Sequence, residues 1–324
     1  MGEIWQQLAL RSTGAESAVR NETIQSLWSG YGEIFRVSLT GADCNSLIVK
    51  HIDPGNPERH PRGWHTDFAT QRKLRSYEVE RYWYDHWNNR CRCSRLAKCY
   101  TTHTTGNQTW ILLEDLDASG FPIRHQQLDF NTAVVCLKWL ARFHAHHMQT
   151  EATGLWPIGT YWHLATRPDE LRAMTDLKLQ RYARQFDAAL NQCKYTTLVH
   201  GDAKVANFCF SVDNKQVAAV DFQYVGQGCG MKDVAYFIGS CLDEQACELH
   251  AADLLDCYFA ELSSCCDINE IDVRELETEW RAIYPIAWAD FYRFLAGWMP
   301  AHPKIHRYTR QMTETAYKLV QQAQ

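Results

Sequence analysis

Apolar residues fall in short runs, broken by glycine and polar residues, between Trp28 and Ile52. This pattern predicts two or three antiparallel strands joined by tight turns, the last of which holds the run Leu47 to Val49. From Phe68 to Asn88 the apolar and aromatic residues return at three- and four-residue spacing, which predicts a helix. The apolar run from Trp110 to Leu113 predicts one more buried strand.

After about residue 120 the spacing of apolar residues becomes mainly helical, beginning with a helix from Asp129 to Gln149 that Asp129 caps. The pattern predicts an α+β fold with two lobes, a small antiparallel-sheet lobe over residues 1–117 and a larger, mainly helical lobe over residues 118–324. The other predicted strands are 197–199, 208–211 and 217–220, and the other predicted helices are 233–241, 243–264, 270–299 and 303–323.

Composition excludes several classes of protein. The chain has 324 residues, 46% hydrophobic and 22% charged, which is enough apolar material for a folded core. Its net charge of −5 argues against nucleic acid as a main partner. No apolar run is long enough to cross a bilayer and the N-terminus lacks a signal-peptide pattern, so we expect a cytoplasmic protein without a membrane partner.

Cysteine usage favours neither disulfides nor a metal. Thirteen cysteines occur without a Cys-x-x-Cys pair, which argues against a disulfide framework. The spacing of Cys91, Cys93, Cys99 and His103 fits no common zinc motif. These cysteines are therefore interpreted as small apolar residues of the interior.

One segment carries the strongest chemical pattern. A predicted strand leads into His200-Gly201-Asp202, and Asn207 follows in the same loop, while a later predicted strand leads into Asp221. Phosphoryl transfer from a nucleotide needs a carboxylate at the acceptor hydroxyl, together with an amide oxygen and a second carboxylate that hold Mg²⁺. Asp202, Asn207 and Asp221 supply these three groups. A His-x-Asp-x4-Asn match alone occurs by chance in about a few percent of chains of this length.

Residues upstream add to this pattern. Gly30-Tyr31-Gly32 lies at a predicted hairpin whose backbone N–H groups would cover nucleotide phosphates, although such a pattern alone is more typical of a plain tight turn. Lys50 ends an apolar strand, where its ammonium can reach the phosphates. Glu80 on the following predicted helix is the first candidate to pair with Lys50. Glu78, which points to a different face of that helix, is the second candidate.

Together these residues resemble the choline kinase and aminoglycoside phosphotransferase branch of the protein-kinase-like fold, and most of all its ecdysteroid-kinase-like subgroup. The resemblance spans about residues 28–240, and its catalytic-loop part is specific whereas its glycine hairpin is not. It rests on Lys50, Glu80, Leu113-Glu114-Asp115-Leu116, Phe143-His144-Ala145, His200 to Asn207, Asp221-Phe222-Gln223 and Gly230 to Val234.

The resemblance implies ATP and Mg²⁺ as cofactors and gives a role to each matching residue of the catalytic loop. Asp202 would orient or deprotonate the acceptor hydroxyl, and Asn207 and Asp221 would bind Mg²⁺. Lys204 would neutralise charge on the transferring phosphoryl group. Asp233 resembles the family's buried structural aspartate, which forms hydrogen bonds to the catalytic loop.

The same resemblance implies a nucleotide-binding set in the sheet lobe. Lys50 would hold the phosphates, Glu80 would hold Lys50, and the turn with Gly30 and Gly32 would cover the phosphates. The backbone from Glu114 to Leu116 would receive the adenine.

Two positions depart from protein kinases. Phe35 stands where they carry a third glycine, and Gln223 replaces the glycine of their Asp-Phe-Gly motif. No activation-loop and Ala-Pro-Glu segment follows Asp221. These differences favour a small-molecule kinase over a protein kinase. His200 is expected to order the loop rather than to take part in the chemistry.

The resemblance implies an acceptor pocket in the helical lobe, for which residues 156–163 and 284–299 are the candidate walls. Aromatic residues at helical spacing around Asp290 would suit a cationic amine, although such a stripe is more typical of core packing. The loop at 53–66, rich in proline and glycine, is interpreted either as a lid or as a solvated insertion.

The sequence thus predicts transfer of a phosphoryl group from ATP to a hydroxyl of a small molecule: an amino alcohol, an aminoglycoside, a sugar or a sterol-like compound. The alternative is a catalytically inactive nucleotide- or ligand-binding module of the same fold. Loss of Lys50, Asp202, Asn207 or Asp221 would favour that alternative, and all four residues are present.

Overall fold

The computed structural model describes residues 3–55, 67–266 and 270–322. The predicted loop at 53–66 therefore lies outside the described residues from position 56 to position 66. Single turns of 3-10 helix are found at Trp28–Gly30, Asn88–Arg90, Leu164–Thr166 and Val205–Asn207. In chain order the helices and strands are α1 (Ile4–Thr13), β1 (Ser17–Ser26), β2 (Gly32–Thr40), β3 (Ser46–Ile52), α2 (Asp67–His86), β4 (Cys99–Thr105), β5 (Gln108–Glu114), α3 (Phe130–His146), α4 (Pro168–Ala173), α5 (Leu177–Asn191), β6 (Thr197–Val199), β7 (Phe208–Phe210), β8 (Val217–Ala219), β9 (Gly226–Gly228), α6 (Met231–Cys241), α7 (Glu244–Cys265), α8 (Val273–Trp298) and α9 (Arg307–Gln322).

The chain divides into two compact units. The first consists of Met1–Ile123 with Cys209–Gln223, and the second of Arg124–Phe208 with Tyr224–Gln324. The sequence placed a single boundary at residue 117, whereas here the hairpin of β7 and β8 also returns to the first unit. It does so because Phe210 and Ile123 exchange backbone hydrogen bonds of 3.0 and 3.1 Å.

The first unit is built on an antiparallel sheet with the strand order β1-β2-β3-β5-β4. Along β2, buried Phe35 and Val37 alternate with half-exposed residues, as expected for a strand with one face on a core. They pack with Val49 and Leu112 of neighbouring strands, and α1 adds Trp5 to the same cluster. The antiparallel sheet predicted from the apolar runs is confirmed.

Strand β1 is not predicted by the pattern of apolar residues. Ala18 is buried, but the other positions of this strand are exposed, so no apolar–polar alternation marks it. Its pairing with β2 is carried by the backbone ladder from Ser17 opposite Thr40 to Ser26 opposite Glu33. A strand held in this way leaves little trace in a hydropathy pattern.

The second unit is mainly helical, as predicted. Helix α3 packs on α7, and α8 packs on α5, α6 and α9. The predicted N-cap is confirmed, because the Asp129 carboxylate accepts the Thr132 N–H at 2.8 Å. Strands β6 and β9 form a small antiparallel pair, and β6 leads directly into the loop that contains Asp202. Within the described segments, no helix combines the length and the apolar character needed to cross a membrane.

Candidate active site

Asp202 lies in the loop that follows β6, and three side chains donate to its carboxylate. Lys204 Nζ and Asn207 Nδ2 each lie 3.0 Å from Asp202 Oδ2, and Tyr236 Oη lies 3.2 Å from Oδ1. Asn207 Nδ2 also donates to the Asp202 carbonyl at 2.8 Å. Because the amide nitrogen of Asn207 faces Asp202, its oxygen is the atom suited to a metal ion.

A buried hydrogen-bond network holds the backbone of this loop. The backbone N–H groups of His200 and Gly201 donate to the Asp233 carboxylate at 2.5 and 3.0 Å. His144 lies between Asp233 and the Tyr258 hydroxyl, at 3.2 and 2.8 Å. The predicted hydrogen bonding of the loop by Asp233 is therefore confirmed. A fully buried carboxylate is tolerated here because these donors satisfy it.

Gly201 and His200 fix the path of the loop. Gly201 has a φ of +79°, and a Cβ at this position would lie 2.0 Å from the carbonyl oxygen of Tyr224, so only glycine fits. The buried His200 ring accepts the Asp202 N–H through Nδ1 at 3.2 Å. This contact agrees with the expectation that His200 orders the loop.

Tyr236 is a site residue that the sequence reasoning missed. It lies three residues after Asp233 on α6, so one face of that helix serves both the base of the loop and the Asp202 carboxylate. Burial raises the pKa of the Tyr236 hydroxyl well above its usual range, so the hydroxyl remains a donor. The three-residue spacing from Asp233 is the signal that points to it.

In the first unit, Lys50 forms a buried ion pair with Glu80. Lys50 is on β3 and Glu80 on α2, and Lys50 Nζ lies 2.8 Å from Oε1 and 2.7 Å from Oε2. Asp221 Oδ1 lies 3.5 Å from the same ammonium. Glu78, the second candidate, lies at the surface and pairs with Arg75 instead.

The charges around Lys50 keep it protonated. Burial would lower the pKa of Lys50, but the carboxylates of Glu80 and Asp221 outweigh burial and raise it. Burial raises the pKa of the Glu80 carboxyl, and Lys50 opposes that shift. The result is a fixed cation beside the Asp221 carboxylate.

Gln223 holds Asp221 in an uncommon conformation. Asp221 has a φ of +71°, in the left-handed region that a residue with a Cβ rarely adopts. Gln223 Nε2 donates to Asp221 Oδ1, and Gln223 Oε1 accepts from Lys73 Nζ at 2.7 Å and from Ser76 Oγ at 3.3 Å. The residue that replaces the protein-kinase glycine thus connects Asp221 to α2.

Phe222, between these two residues, anchors the same segment. Its ring stacks on Trp83 of α2, with ring centroids 4.6 Å apart and planes 10° apart. Tyr84 meets the Phe222 ring edge-on. Aromatic packing and polar contacts therefore tie the Asp221 segment to one helix.

The glycine turn lies between β1 and β2, where the sequence predicted it. Gly32 has a φ of +125°, and a Cβ there would lie 2.0 Å from the His51 carbonyl oxygen, so the position requires glycine. Gly30 N–H donates to the Leu27 carbonyl at 3.1 Å, which closes the turn itself. The role of Gly30 and Gly32 in covering phosphates stays a prediction.

The segment predicted to receive adenine, Glu114 to Leu116, follows β5. The Leu116 carbonyl accepts the Phe121 N–H at 2.8 Å, and the Glu114 carboxylate binds Arg95. Arg36, which the sequence reasoning did not single out, joins Asp115 through Nε at 2.7 Å. Polar side chains thus brace this segment, and adenine binding by its backbone stays a prediction.

Other candidate residues serve the core. Asp290 is buried and accepts Arg293 Nε at 2.8 Å, so its carboxylate already has a cation. Phe291 and Phe294 pack with Trp162 in a core cluster. The aromatic stripe of α8 is therefore core packing, the alternative that such spacing favoured.

The residues that the structure describes contain no group of three or more His, Cys, Asp and Glu side chains able to hold a metal ion. The predicted Mg²⁺ ligands are not such a group, because they consist of one carboxylate, from Asp221, and one amide oxygen, from Asn207. Oxygen donors of this kind suit a hard cation such as Mg²⁺. The buried cation Lys50 suits the phosphates of a nucleotide. The donor chemistry therefore fits both cofactors.

Solved structures with a similar fold include a microcompartment-associated aminopropanol kinase, with a TM-score of 0.51, 13% sequence identity and coverage of 97% of this chain and 94% of that chain. A choline/ethanolamine kinase family protein from Mesorhizobium loti has a TM-score of 0.46, 11% identity and coverage of 92% and 87%. The first similarity confirms the protein-kinase-like fold. No curated protein matches the sequence.

A family model covers the part of the chain that contains the loop around Asp202. The model of the ecdysteroid kinase-like family matches residues 81–154 and 160–270, which is more than half of the chain. The matched ranges include Asp202, Asn207 and Asp221, whereas Lys50 and Glu80 precede them. This match confirms the resemblance noted in the sequence, and the chain belongs to the ecdysteroid kinase-like family.

Proposed function

We propose that this protein is a Mg²⁺- and ATP-dependent phosphotransferase that phosphorylates a hydroxyl group of a small molecule. The observation that carries the proposal is the buried ion pair of Lys50 and Glu80 with Asp221 beside it. Desolvating two charges is costly, so a buried ion pair is weak evidence for stability. Buried charged groups with shifted pKa values are enriched at functional sites, and a fixed cation beside a carboxylate suits a metal-bound triphosphate.

The proposed reaction also uses the loop around Asp202. The acceptor oxygen forms a bond to the γ-phosphorus while the bond from that phosphorus to the departing ADP breaks. Asp202 positions the hydroxyl and takes its proton, and Lys204 neutralises charge on the phosphoryl group. Asn207 and Asp221 would hold Mg²⁺, which when bound neutralises the phosphates and aligns them for transfer.

A small-molecule acceptor is favoured over a protein. Gln223 is engaged with Lys73 and Ser76, so the segment after Asp221 is tied to α2 rather than built as a switchable loop. The family match points in the same direction. The proposed acceptors are the alcohols of amino alcohols, aminoglycosides, sugars and sterol-like compounds.

The test begins with thermal unfolding of the protein in ATP, GTP and ADP, with and without Mg²⁺. A ligand at 100 times its Kd stabilises the folded state by about 2.7 kcal/mol, so a Mg²⁺-dependent rise in Tm is expected. An ADP-release screen over the four acceptor classes then follows on the same sample. Asp202→Ala should abolish acceptor-dependent ADP release. The matched control is Asp213→Ala, which removes an exposed carboxylate in the turn after β7.

Two outcomes would contradict the proposal in different ways. A well-folded protein whose Tm does not respond to millimolar nucleotide would argue against nucleotide binding altogether. Mg²⁺-dependent stabilisation without ADP release, either with acceptors or in water alone, would favour the inactive binding module.

A further inference from the structure

One side of the aromatic cluster in the second unit carries a lysine of the chain itself. Lys304 Nζ lies 5.4 Å from the ring centroid of Tyr236 and 5.9 Å from that of Phe291. The two rings pack against each other, with centroids 4.7 Å apart and planes 62° apart. An ammonium within about 6 Å of a ring face is attracted by it. The attraction that would hold a cationic ligand is thus already used by Lys304.

The position of Lys304 is fixed by its backbone. Its N–H donates to His302 Nδ1 at 3.1 Å, and its carbonyl accepts Thr309 Oγ1 at 2.7 Å. Thr309 Oγ1 in turn accepts Trp288 Nε1 at 3.0 Å. The sequence predicted a helix over 303–323, but α9 begins at Arg307, so Lys304 lies in a braced turn before that helix.

The Lys304 ammonium contacts aromatic rings but has no polar partner among the described residues. Within the described ranges no hydrogen bond or ion pair of the chain reaches Lys304 Nζ. Burial lowers the pKa of Lys304 to about 8, with Lys204 adding to the shift and Asp202 opposing it. Tyr236 connects the two groups, because its hydroxyl donates to Asp202 Oδ1 at 3.2 Å and its ring lies 5.4 Å from Lys304 Nζ. A half-buried cation of this kind is stabilised when a ligand oxygen binds it.

The charge balance near Asp202 points to the same kind of ligand. Asp202 contributes one negative charge, and Lys204 and Lys304 contribute two positive charges, which leaves one net positive charge from these three groups. Tyr236 donates to Asp202 and adds no charge. A positively charged acceptor would meet like charge here, whereas an oxygen-bearing acceptor would not.

We propose that Lys304 is a specificity residue of the acceptor site. Its ammonium selects acceptors that present a hydroxyl, carbonyl or carboxylate oxygen to it and rejects those that carry an ammonium near the reacting hydroxyl. This inference rests on the proposed phosphotransferase function and narrows its acceptor class. It separates this chain from kinases that act on amino alcohols.

The first test compares matched acceptors that share a skeleton and differ in charge. The pairs are choline with its neutral carbon isostere 3,3-dimethylbutan-1-ol, and 3-amino-1,2-propanediol with glycerol and glycerate. A neutral sterol and a neutral sugar are each compared with an amino derivative. ADP release gives kcat and KM for the wild type, Lys304→Met and Lys304→Arg. The control is Lys178→Met, which removes another lysine that lies over an aromatic ring.

The wild type should prefer the members without an ammonium in each set that it phosphorylates. Lys304→Met should raise KM for those members by about tenfold or more, because a hydrogen bond to a charged group is lost, while Lys304→Arg retains most of the preference. A wild-type preference for the ammonium-bearing members would overturn the proposal. So would an unchanged acceptor KM in Lys304→Met, or a rise confined to the KM for ATP.

The second test needs no turnover. The native protein is treated at pH 8 with a limiting amount of an amine-acylating reagent, and mass spectrometry compares acylation of Lys304 with that of Lys178. The probes without an ammonium should slow acylation of Lys304 relative to Lys178. Choline, whose quaternary ammonium does not react with the reagent, should not. Equal protection by both kinds of probe, or protection by neither, would refute the proposed role of Lys304. A failure of ADP release with intact selective protection would instead count against the phosphotransferase function alone.

Discussion

In the first unit, Lys50 and Glu80 are almost fully buried, and each neutralises the charge of the other. In the second unit, several donors hold the Asp202 carboxylate, and one of them, Lys204, keeps more than a third of its side chain exposed. A buried pair has no solvent to replace a missing partner. The Asp202 carboxylate would keep some of its donors if one were removed. Removing one partner should therefore cost more stability in the Lys50–Glu80 pair than at the Asp202 carboxylate.

This contrast predicts which variants will change the stability of the fold and which will change the transfer step. Changes in the Lys50 pair should alter both the folded state and nucleotide binding. Changes at the loop around Asp202 should act mainly on the transfer step, because Asp233 and Gly201 hold the backbone of the loop independently of the Asp202 side chain. Five predictions test this difference, beginning with the largest expected effect.

Asp202→Ala should reduce phosphoryl transfer by about 1000-fold or more, because the group that positions the hydroxyl and takes its proton is lost. Nucleotide affinity should change little. Single-turnover ADP release and nucleotide titration on the same sample measure the two effects. An equal loss of ATP binding in a folded variant would contradict the role given to Asp202.

Asp221→Ala should instead act mainly on nucleotide binding. Loss of a carboxylate ligand should weaken Mg²⁺-dependent nucleotide binding by about 100-fold, a larger effect than the loss of a group that only orients a ligand. Binding of a fluorescent ATP analogue across a Mg²⁺ series measures it. Unchanged binding would move the metal site away from Asp221.

Lys50→Met alone should destabilise the protein by about 3–5 kcal/mol, because Glu80 is left as an unpaired buried charge. The double variant Lys50→Met/Glu80→Leu should recover much of that loss while nucleotide binding stays impaired. Thermal and denaturant unfolding give the stability of each variant. A double variant no more stable than the single one would show that the pair is not the source of the loss.

The candidate catalytic loop could be recognised in the sequence because its residues are close together along the chain. His200 to Asn207 form one short segment, and the spacing within it already specifies a carboxylate and an amide in the same loop. Glu80 could be chosen over Glu78 because a helix places neighbouring positions on different faces. The antiparallel sheet followed from the short apolar runs of β2 and β3, whereas exposed β1 has no such run.

The contacts that were missed join residues that are far apart in the chain. Gln223 meets Lys73 across 150 positions, and no local pattern indicates that pairing. The Lys304 ammonium meets the Tyr236 ring only because α6 and the turn before α9 are brought together by the core. Contacts of this kind follow from the fold and not from the spacing of residues in one segment.

Gln223→Leu should raise the Mg²⁺ concentration needed for nucleotide binding by about tenfold, because groups that orient a metal ligand typically contribute 10- to 100-fold to metal affinity. Lys73→Met should give a smaller shift in the same direction, since Gln223 would keep its contact with Ser76. High Mg²⁺ should restore binding in both variants. A loss that high Mg²⁺ does not restore would indicate a general disturbance of α2 rather than a misplaced Asp221.

Tyr236→Phe is expected to have the smallest effect, a fall in kcat of about fivefold, because it removes one neutral hydrogen bond to Asp202 while Lys204 and Asn207 still hold the carboxylate. The ring keeps its packing against Phe291, so the Tm should change little. The KM for ATP should stay near the wild-type value, since Tyr236 acts on the proton acceptor. A fall in kcat as large as that of Asp202→Ala would mean that the Asp202 carboxylate depends on a single donor. It would contradict the contrast between the buried Lys50–Glu80 pair and a carboxylate held by several donors.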